Sequence, residues 1–176
     1  MISTRTLRLV AVLLAVGFLT AACQRGEKSC RYYSLVLEKS DSKDEKERAV
    51  REIRSLSTED QTKCNDDKVF ARFTKVIEDD ASLRESLVDA LESIGKNAEK
   101  PPKGPSLRER AEKLIAKSLG YNAVASVAAR IIRVWRYDAH ERGKTYSPSP
   151  EVRKALAAAV RRVKDGEAKG QILQAL

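Results

Sequence analysis

The chain has 176 residues, and its 34 Lys or Arg against 25 Asp or Glu give a formal net charge of +9 at pH 7. Glycine, proline and aromatic residues are sparse, a composition that favours an all-α protein. No segment has the pattern of a β-strand, so folds built on a sheet are excluded.

The N-terminus has the three parts of a secretory signal. Arg5 and Arg8 supply positive charge, Leu9–Leu19 is an apolar run, and small residues precede Cys23. This apolar run has about eleven residues, whereas a helix that spans a bilayer needs roughly 20. We therefore predict that residues 1–22 are a cleaved signal peptide rather than a permanent membrane helix.

The segment LTAAC at residues 19–23 resembles the processing site of bacterial lipoproteins, where signal peptidase II cuts before a lipid-accepting cysteine. It departs from that family at Thr20, where leucine is usual. The resemblance implies a diacylglycerol anchor on Cys23 and a lipid-anchored tether over residues 23–29. Cleavage after Ala22 by the ordinary signal peptidase, without acylation, is the alternative.

The same resemblance implies a location in the bacterial cell envelope, anchored to a membrane by lipid and facing the periplasm. Gln24 follows the lipid-accepting cysteine, in place of the Asp that marks retention in the inner membrane of enteric bacteria. The outer membrane is therefore favoured.

An exported protein with three cysteines can pair only two of them in a disulfide, so the third is left over unless it has another role. If Cys23 carries lipid, Cys30 and Cys64 remain as a pair in an oxidising compartment, and we predict a disulfide between them. Two free, buried thiols are the alternative. A zinc site is not indicated, because no Cys-x-x-Cys occurs and the only histidine, His140, is far along the chain.

Apolar residues recur at steps of three and four, which predicts helices along residues 30–176, taken as one helical domain. The predicted helices cover 30–39, 43–57, 68–80, 81–97, 106–122, 123–141 and 149–166, followed by a short segment at 167–176. The expected helix caps are Asp41 or Ser42, Gly95 or Asn97, Ser106 and Ser149. Between the helices, we predict a polar connection at residues 57–67, a proline-rich break at residues 98–105 and a loop at residues 142–150.

Three of these helices space their apolar residues alike, in KERAVREIRSL, RESLVDALESI and RKALAAAVRRV. The pattern resembles the inner helix of HEAT-type repeats. It implies a short α-solenoid of HEAT-like helix pairs, each of which buries its apolar stripe against its neighbours. The alternative is an irregular helical bundle, since its amphipathic helices would show the same spacing of apolar residues when the segments are aligned.

Charge is distributed unevenly. Residues 23–100 hold 16 basic and 18 acidic side chains, whereas residues 101–176 hold 16 basic and 7 acidic ones. Anionic lipid head groups, cell-wall polymers or an acidic protein surface are the expected partners of such a basic half. Nucleic acid is not, because no groove-reading motif or aromatic stacking platform occurs. A solvated face that only aids solubility is the alternative.

Five arginines form the candidate interaction surface. Arg130, Arg133 and Arg136 lie opposite the apolar stripe of their helix, and Arg161 and Arg162 follow in the next helix. On the same helical projection, Trp135 points into the stripe and Tyr137 lies at its rim.

Catalytic motifs are absent from the sequence. His140 lies at a helix end, where capping or solvent exposure is the expected role. No cofactor, metal site or catalytic residue is therefore predicted. The expected function is a membrane-anchored, non-catalytic scaffold for protein–protein interaction. A linker that binds anionic head groups or cell-wall polymer is the second hypothesis, and an enzyme with a composite site is the third.

Overall fold

A computed structural model describes residues 29–96 and 101–176. Within these ranges the chain forms nine α-helices and no strand, which confirms the predicted all-α class. The helices are α1 Cys30–Lys39, α2 Lys43–Arg54, α3 Thr58–Thr62, α4 Asp67–Asp79, α5 Ala81–Lys96, α6 Leu107–Ser118, α7 Asn122–Glu141, α8 Pro150–Arg162 and α9 Gly166–Leu173. The predicted signal peptide, Cys23 and all of the tether except Ser29 lie outside the described residues.

Side-chain caps fix where most of these helices begin. Of the two candidates before α2, Ser42 is the cap, and its hydroxyl accepts a hydrogen bond from the N–H of Glu45. Ser106 forms a full capping box at α6: its hydroxyl accepts from the N–H of Glu109, whose carboxylate accepts from the N–H of Ser106. Ser149 caps α8 directly before Pro150, as predicted.

The predicted polar connection at 57–67 was wrong in part, because it contains helix α3. Ser57 caps this helix by accepting from the N–H of Asp60 at 3.1 Å. Gln61, a buried residue, donates to the hydroxyl of Ser93 in α5 at 2.6 Å. The cap and this anchor hold a turn that is too short to show an apolar period in the sequence.

Gly95 was also misassigned as a helix cap. It lies inside α5 and is buried against the indole ring of Trp135. The alternative cap, Asn97, lies outside the described residues. Gly95 is therefore a packing position, where the missing Cβ makes room for the tryptophan.

Apart from the short helix α3, the described helices pack in two rows. One row contains α1, α4, α6 and α8, and the other contains α2, α5, α7 and α9. Each helix contacts its neighbours in its own row and its partner in the other row. A helix and its partner in the other row form a pair, which gives the pairs α1–α2, α4–α5, α6–α7 and α8–α9. In the part of the chain that is described, the extensive helix–helix contacts all lie within one pair or between adjacent pairs. Stacked helix pairs pack in this order, while the resemblance of the pairs to HEAT repeats stays a prediction.

The overlay of three similar segments did not identify equivalent helices. Two of the segments form α2 and α5, which lie in the same row, but the third forms α8 in the opposite row. The shared spacing marks one buried face on each helix, and every amphipathic helix has such a face. It therefore carries no information about the row to which a helix belongs.

The core is centred on α5 and α7. Helix α5 contacts α2, α4, α6 and α7, and its apolar stripe is fully buried at Leu83, Leu87, Leu91 and Ile94. Trp135 of α7 is also fully buried, as predicted, and its indole N–H donates to the carbonyl of Glu92 at 3.0 Å. This bond satisfies the one polar group of the ring inside the core.

Cys30 and Cys64 are a disulfide-capable pair. Their sulfur atoms lie 2.04 Å apart, their Cα atoms lie 5.1 Å apart, and both residues are fully buried. Cys30 begins α1, and Cys64 lies between α3 and α4. A bond between them connects the first described helix to the connection before α4.

A partly buried polar cluster fastens the loop before α8. The carboxylate of Glu112 accepts from the hydroxyl of Tyr146 at 2.8 Å and from the N–H of Ser149 at 3.1 Å. The guanidinium of Arg108 lies 5.1 Å from the centre of the Tyr146 ring and 5.6 Å from that of Trp135. Burial lowers the pKa of Arg108 and raises that of Tyr146, which the adjacent Glu112 carboxylate raises further.

We expect Tyr146→Phe to lower the free energy of unfolding by about 1–2 kcal/mol, because it removes a donor from a buried carboxylate. The loss should shrink at high pH. Because its pKa is raised on folding, Tyr146 stabilises the protein fully below about pH 10, and this contribution falls as pH rises further. Urea unfolding at several pH values measures both effects.

The matched control is Tyr137→Phe, which removes the same hydroxyl from a ring that is 67% exposed. This variant should unfold like the wild type. Equal losses in the two variants would show that the bond between Tyr146 and Glu112 contributes nothing.

Candidate functional site: the groove between α7 and α9

An open groove of about 840 Å³ lies between α7 and α9. Its lining includes Arg130, Arg133, Arg136, Tyr137, Gln171 and Gln174, and we call it the α7–α9 groove. Val134, His140 and Glu141 of α7 also line it. Its size falls within the range of about 300–1,000 Å³ that is typical of ligand sites.

Helical periodicity places these side chains together. On α7, residues 130, 133, 137 and 140 follow one another at steps of three and four, so they share one face of the helix. Gln171 of α9 and Gln174, the residue that caps the C-terminal end of α9, are three residues apart and share a face in the same way. Because the two helices are neighbours in one row, these faces form the two walls of the groove.

Arg130 is held at the groove by acidic partners. Its guanidinium forms salt bridges with Asp89 and Glu92 of α5. Asp89 also pairs with Arg54 of α2, and Glu92 with Lys96. These ion pairs link α2, α5 and α7, and Arg130 shares its two carboxylate partners with Arg54 and Lys96.

Arg133 and Arg136 are the two other arginines of the groove. Arg133 is exposed, and its guanidinium has no hydrogen-bond or ion-pair partner among the residues that the structure describes. Arg136 donates to the carbonyl of Ala175 at 3.0 Å, which ties the C-terminal end of the chain to α7. Since Glu141 is the one carboxylate of the lining, the groove has an excess of positive charge.

The other two predicted arginines do not belong to this groove. Arg161 is exposed on α8, in the opposite row. Arg162 donates to the side chain of Asn122 at 2.6 Å and to the carbonyl of Leu119. It therefore satisfies a carbonyl at the C-terminal end of α6, where backbone acceptors lack partners within the helix. The structure thus brings together three of the five predicted arginines and separates two.

His140 lies in the groove lining and is exposed. Its neighbour Glu141 is the carboxylate that lines the groove with it. Over residues 29–96 and 101–176, no group of three or more His, Cys, Asp or Glu side chains is placed to hold a metal ion. In the same ranges no helix combines the length and hydropathy required to cross a bilayer.

The second wall of the groove was not predicted from the sequence. Helix α9 was expected only as a short closing segment, and Gln171 and Gln174 were not singled out. Two amide side chains at a step of three are the only local signal they give. The two glutamines belong to the site because α9 packs beside α7. This contact joins segments that are about 40 residues apart in the chain, as the hydrogen bond from Arg136 to Ala175 shows.

These features define an all-α protein of paired helices with a basic groove between the last two helices of one row. Comparison of the chain with protein-family models, characterised proteins and solved structures finds no match. The chemistry of the groove and the sequence of the N-terminus are therefore the grounds for a function.

Proposed function

We propose that this protein is a lipid-anchored lipoprotein of the bacterial envelope that acts as a non-catalytic helical scaffold for another envelope protein. Lipid on Cys23 anchors it to the membrane, with the outer membrane favoured. HEAT-like helix pairs extend from the anchor into the periplasm. The partner docks on the basic C-terminal half.

The observation that carries this proposal is the unpaired basic charge in the α7–α9 groove. Some exposed arginines of this protein have a carboxylate neighbour, as Arg142 has in Asp138 at 3.0 Å. Arg133 has none, and it lies beside Tyr137, which is 67% exposed. Arginine and tyrosine are enriched among the residues that contribute most to protein–protein binding.

Lipidation is tested by the intact mass of the protein from the membrane fraction. We expect the wild type to be heavier than residues 23–176 alone by the mass of its acyl groups, and to be found with the membrane. Cys23→Ala removes the thiol that accepts the lipid, so this variant should leave the membrane fraction.

The control is Cys30→Ala/Cys64→Ala, which removes the other two thiols and should remain acylated. An unmodified Cys23 in a mature, water-soluble wild-type protein would overturn the anchored scaffold.

The second candidate is a linker that binds anionic lipid head groups or cell-wall polymer. It is favoured by the net +9 of residues 101–176, which include exposed charges outside the groove such as Arg161. Binding of the Cys23→Ala protein to phosphatidylglycerol vesicles should then weaken steeply as salt is added. Binding that is absent, or unaffected by salt, would exclude this linker.

A further inference from the structure

We propose that the α7–α9 groove binds a short, extended segment of a partner protein that carries both carboxylates and aliphatic side chains. This inference rests on the proposed scaffold function and names the chemistry of its partner. The occupant follows from three properties of the groove: its length, its unpaired polar groups and its charge.

The length of the groove suits a few residues of extended chain. On α7 the lining runs from Arg130 to Glu141, which spans roughly 16 Å at 1.5 Å per helical residue. An extended chain rises about 3.3 Å per residue, so roughly five residues fill the groove.

The two glutamines favour an extended backbone over a helix. The side-chain amides of Gln171 and Gln174 line the groove and have no hydrogen-bond partner in the described ranges, and each amide both donates and accepts. An extended segment presents N–H and C=O groups to such side chains, whereas a helix has already paired those groups internally. The α9 wall thus matches a peptide backbone.

The α7 wall selects the side chains of that segment. Arg133 offers a guanidinium without an acidic partner, and Arg136 adds positive charge beside it, so a carboxylate is the complementary group. Val134 and Tyr137 also line the groove and supply apolar surface, which suits an aliphatic side chain. Arg130 contributes less, because its guanidinium already pairs with Asp89 and Glu92.

A concave site distinguishes this occupant from a membrane. A flat array of head groups attracts the exposed positive charges of the whole face that lies against it, within about a Debye length, and these need not lie in a groove. A peptide in the groove responds only to charges at the groove. Arg133 and Arg161 allow this comparison, since both are exposed arginines but only Arg133 lies in the groove.

The test uses the mature Cys23→Ala protein and fluorescence anisotropy of a labelled peptide of about six alternating Glu and Leu residues. A Lys–Leu peptide of the same length is the control ligand. We expect the Glu–Leu peptide to bind and the Lys–Leu peptide not to bind. Arg133→Glu should weaken binding about tenfold, because it replaces an attraction with a repulsion. Tyr137→Ser should also weaken it.

The matched control variant is Arg161→Glu, which makes the same change of charge on α8 and should change the affinity by less than about twofold. Equal weakening by Arg133→Glu and Arg161→Glu would overturn the proposal that the groove binds the peptide. A Glu–Leu peptide that binds no more tightly than the Lys–Leu peptide would overturn it as well.

These outcomes are separate from those for the scaffold itself. If the peptide does not bind in the groove but Cys23 is acylated, the proposal of an anchored scaffold is retained, and its partner docks on another surface. If Cys23 is unmodified but the peptide binds through Arg133, the proposal of a peptide-binding groove is retained and that of an anchored scaffold is rejected.

Discussion

Replacing Gly95 with alanine is expected to lower the free energy of unfolding by about 3 kcal/mol, although alanine normally stabilises a helix. A Cβ at this position would lie 1.9 Å from Cζ2 of Trp135, far inside van der Waals contact. The indole ring is fully buried, and its N–H bond to Glu92 fixes its position. The ring must therefore leave its site, or α5 and α7 must separate. Urea unfolding measures the loss.

Gly170→Ala is the matched control for this variant. Gly170 lies inside α9, and a Cβ there meets no atom within 4 Å. Alanine should therefore stabilise the protein by up to about 1 kcal/mol, the opposite sign to Gly95→Ala. In a Trp135→Phe background, Gly95→Ala should be less harmful, because the smaller ring leaves space for the Cβ. A neutral Gly95→Ala, or an equal loss in both backgrounds, would contradict the packing role.

Removing the link between Cys30 and Cys64 is expected to lower the free energy of unfolding by about 4 kcal/mol. The two cysteines are 34 residues apart, and chain entropy predicts this stabilisation for a loop of that length. Cys30→Ala/Cys64→Ala, made in the Cys23→Ala protein, should unfold at a lower urea concentration. Its denaturant slope should also rise, because the unfolded chain is no longer constrained.

The oxidation state can be checked on the same protein. Thiol counting of the Cys23→Ala protein in denaturant should find no free thiol, and reductant in denaturant should release two. Because both sulfur atoms are buried, reductant should act slowly on the folded protein. Two free thiols without reductant would contradict the disulfide and favour the alternative of two buried thiols.

The helices were predictable because their signals are local. The bounds of α1 match the prediction at both ends, and Ser42, Ser106 and Ser149 cap the helices that follow them. Helix α3 was missed, because five residues are too few to show a helical period. Its stability depends on the contact of Gln61 with Ser93, 32 residues away.

The candidate site was only half predictable. Periodicity on α7 placed Arg130, Arg133 and Arg136 together, since positions on a single helix follow from sequence spacing. It could not show that Arg130 pairs with two carboxylates of α5, or that Arg162 binds the end of α6 instead of a partner. Those partners are about 40 residues away along the chain.

The sequence by itself determined the all-α class, most helix bounds, the burial of Trp135 and the uneven distribution of charge. Tertiary structure decided the rows to which the helices belong, the role of Gly95 and which arginines meet at a groove. The reason is physical. Hydrogen bonds within a helix and its caps join residues at most a few positions apart, whereas the packing of one helix on another joins residues that the order of the chain keeps far apart.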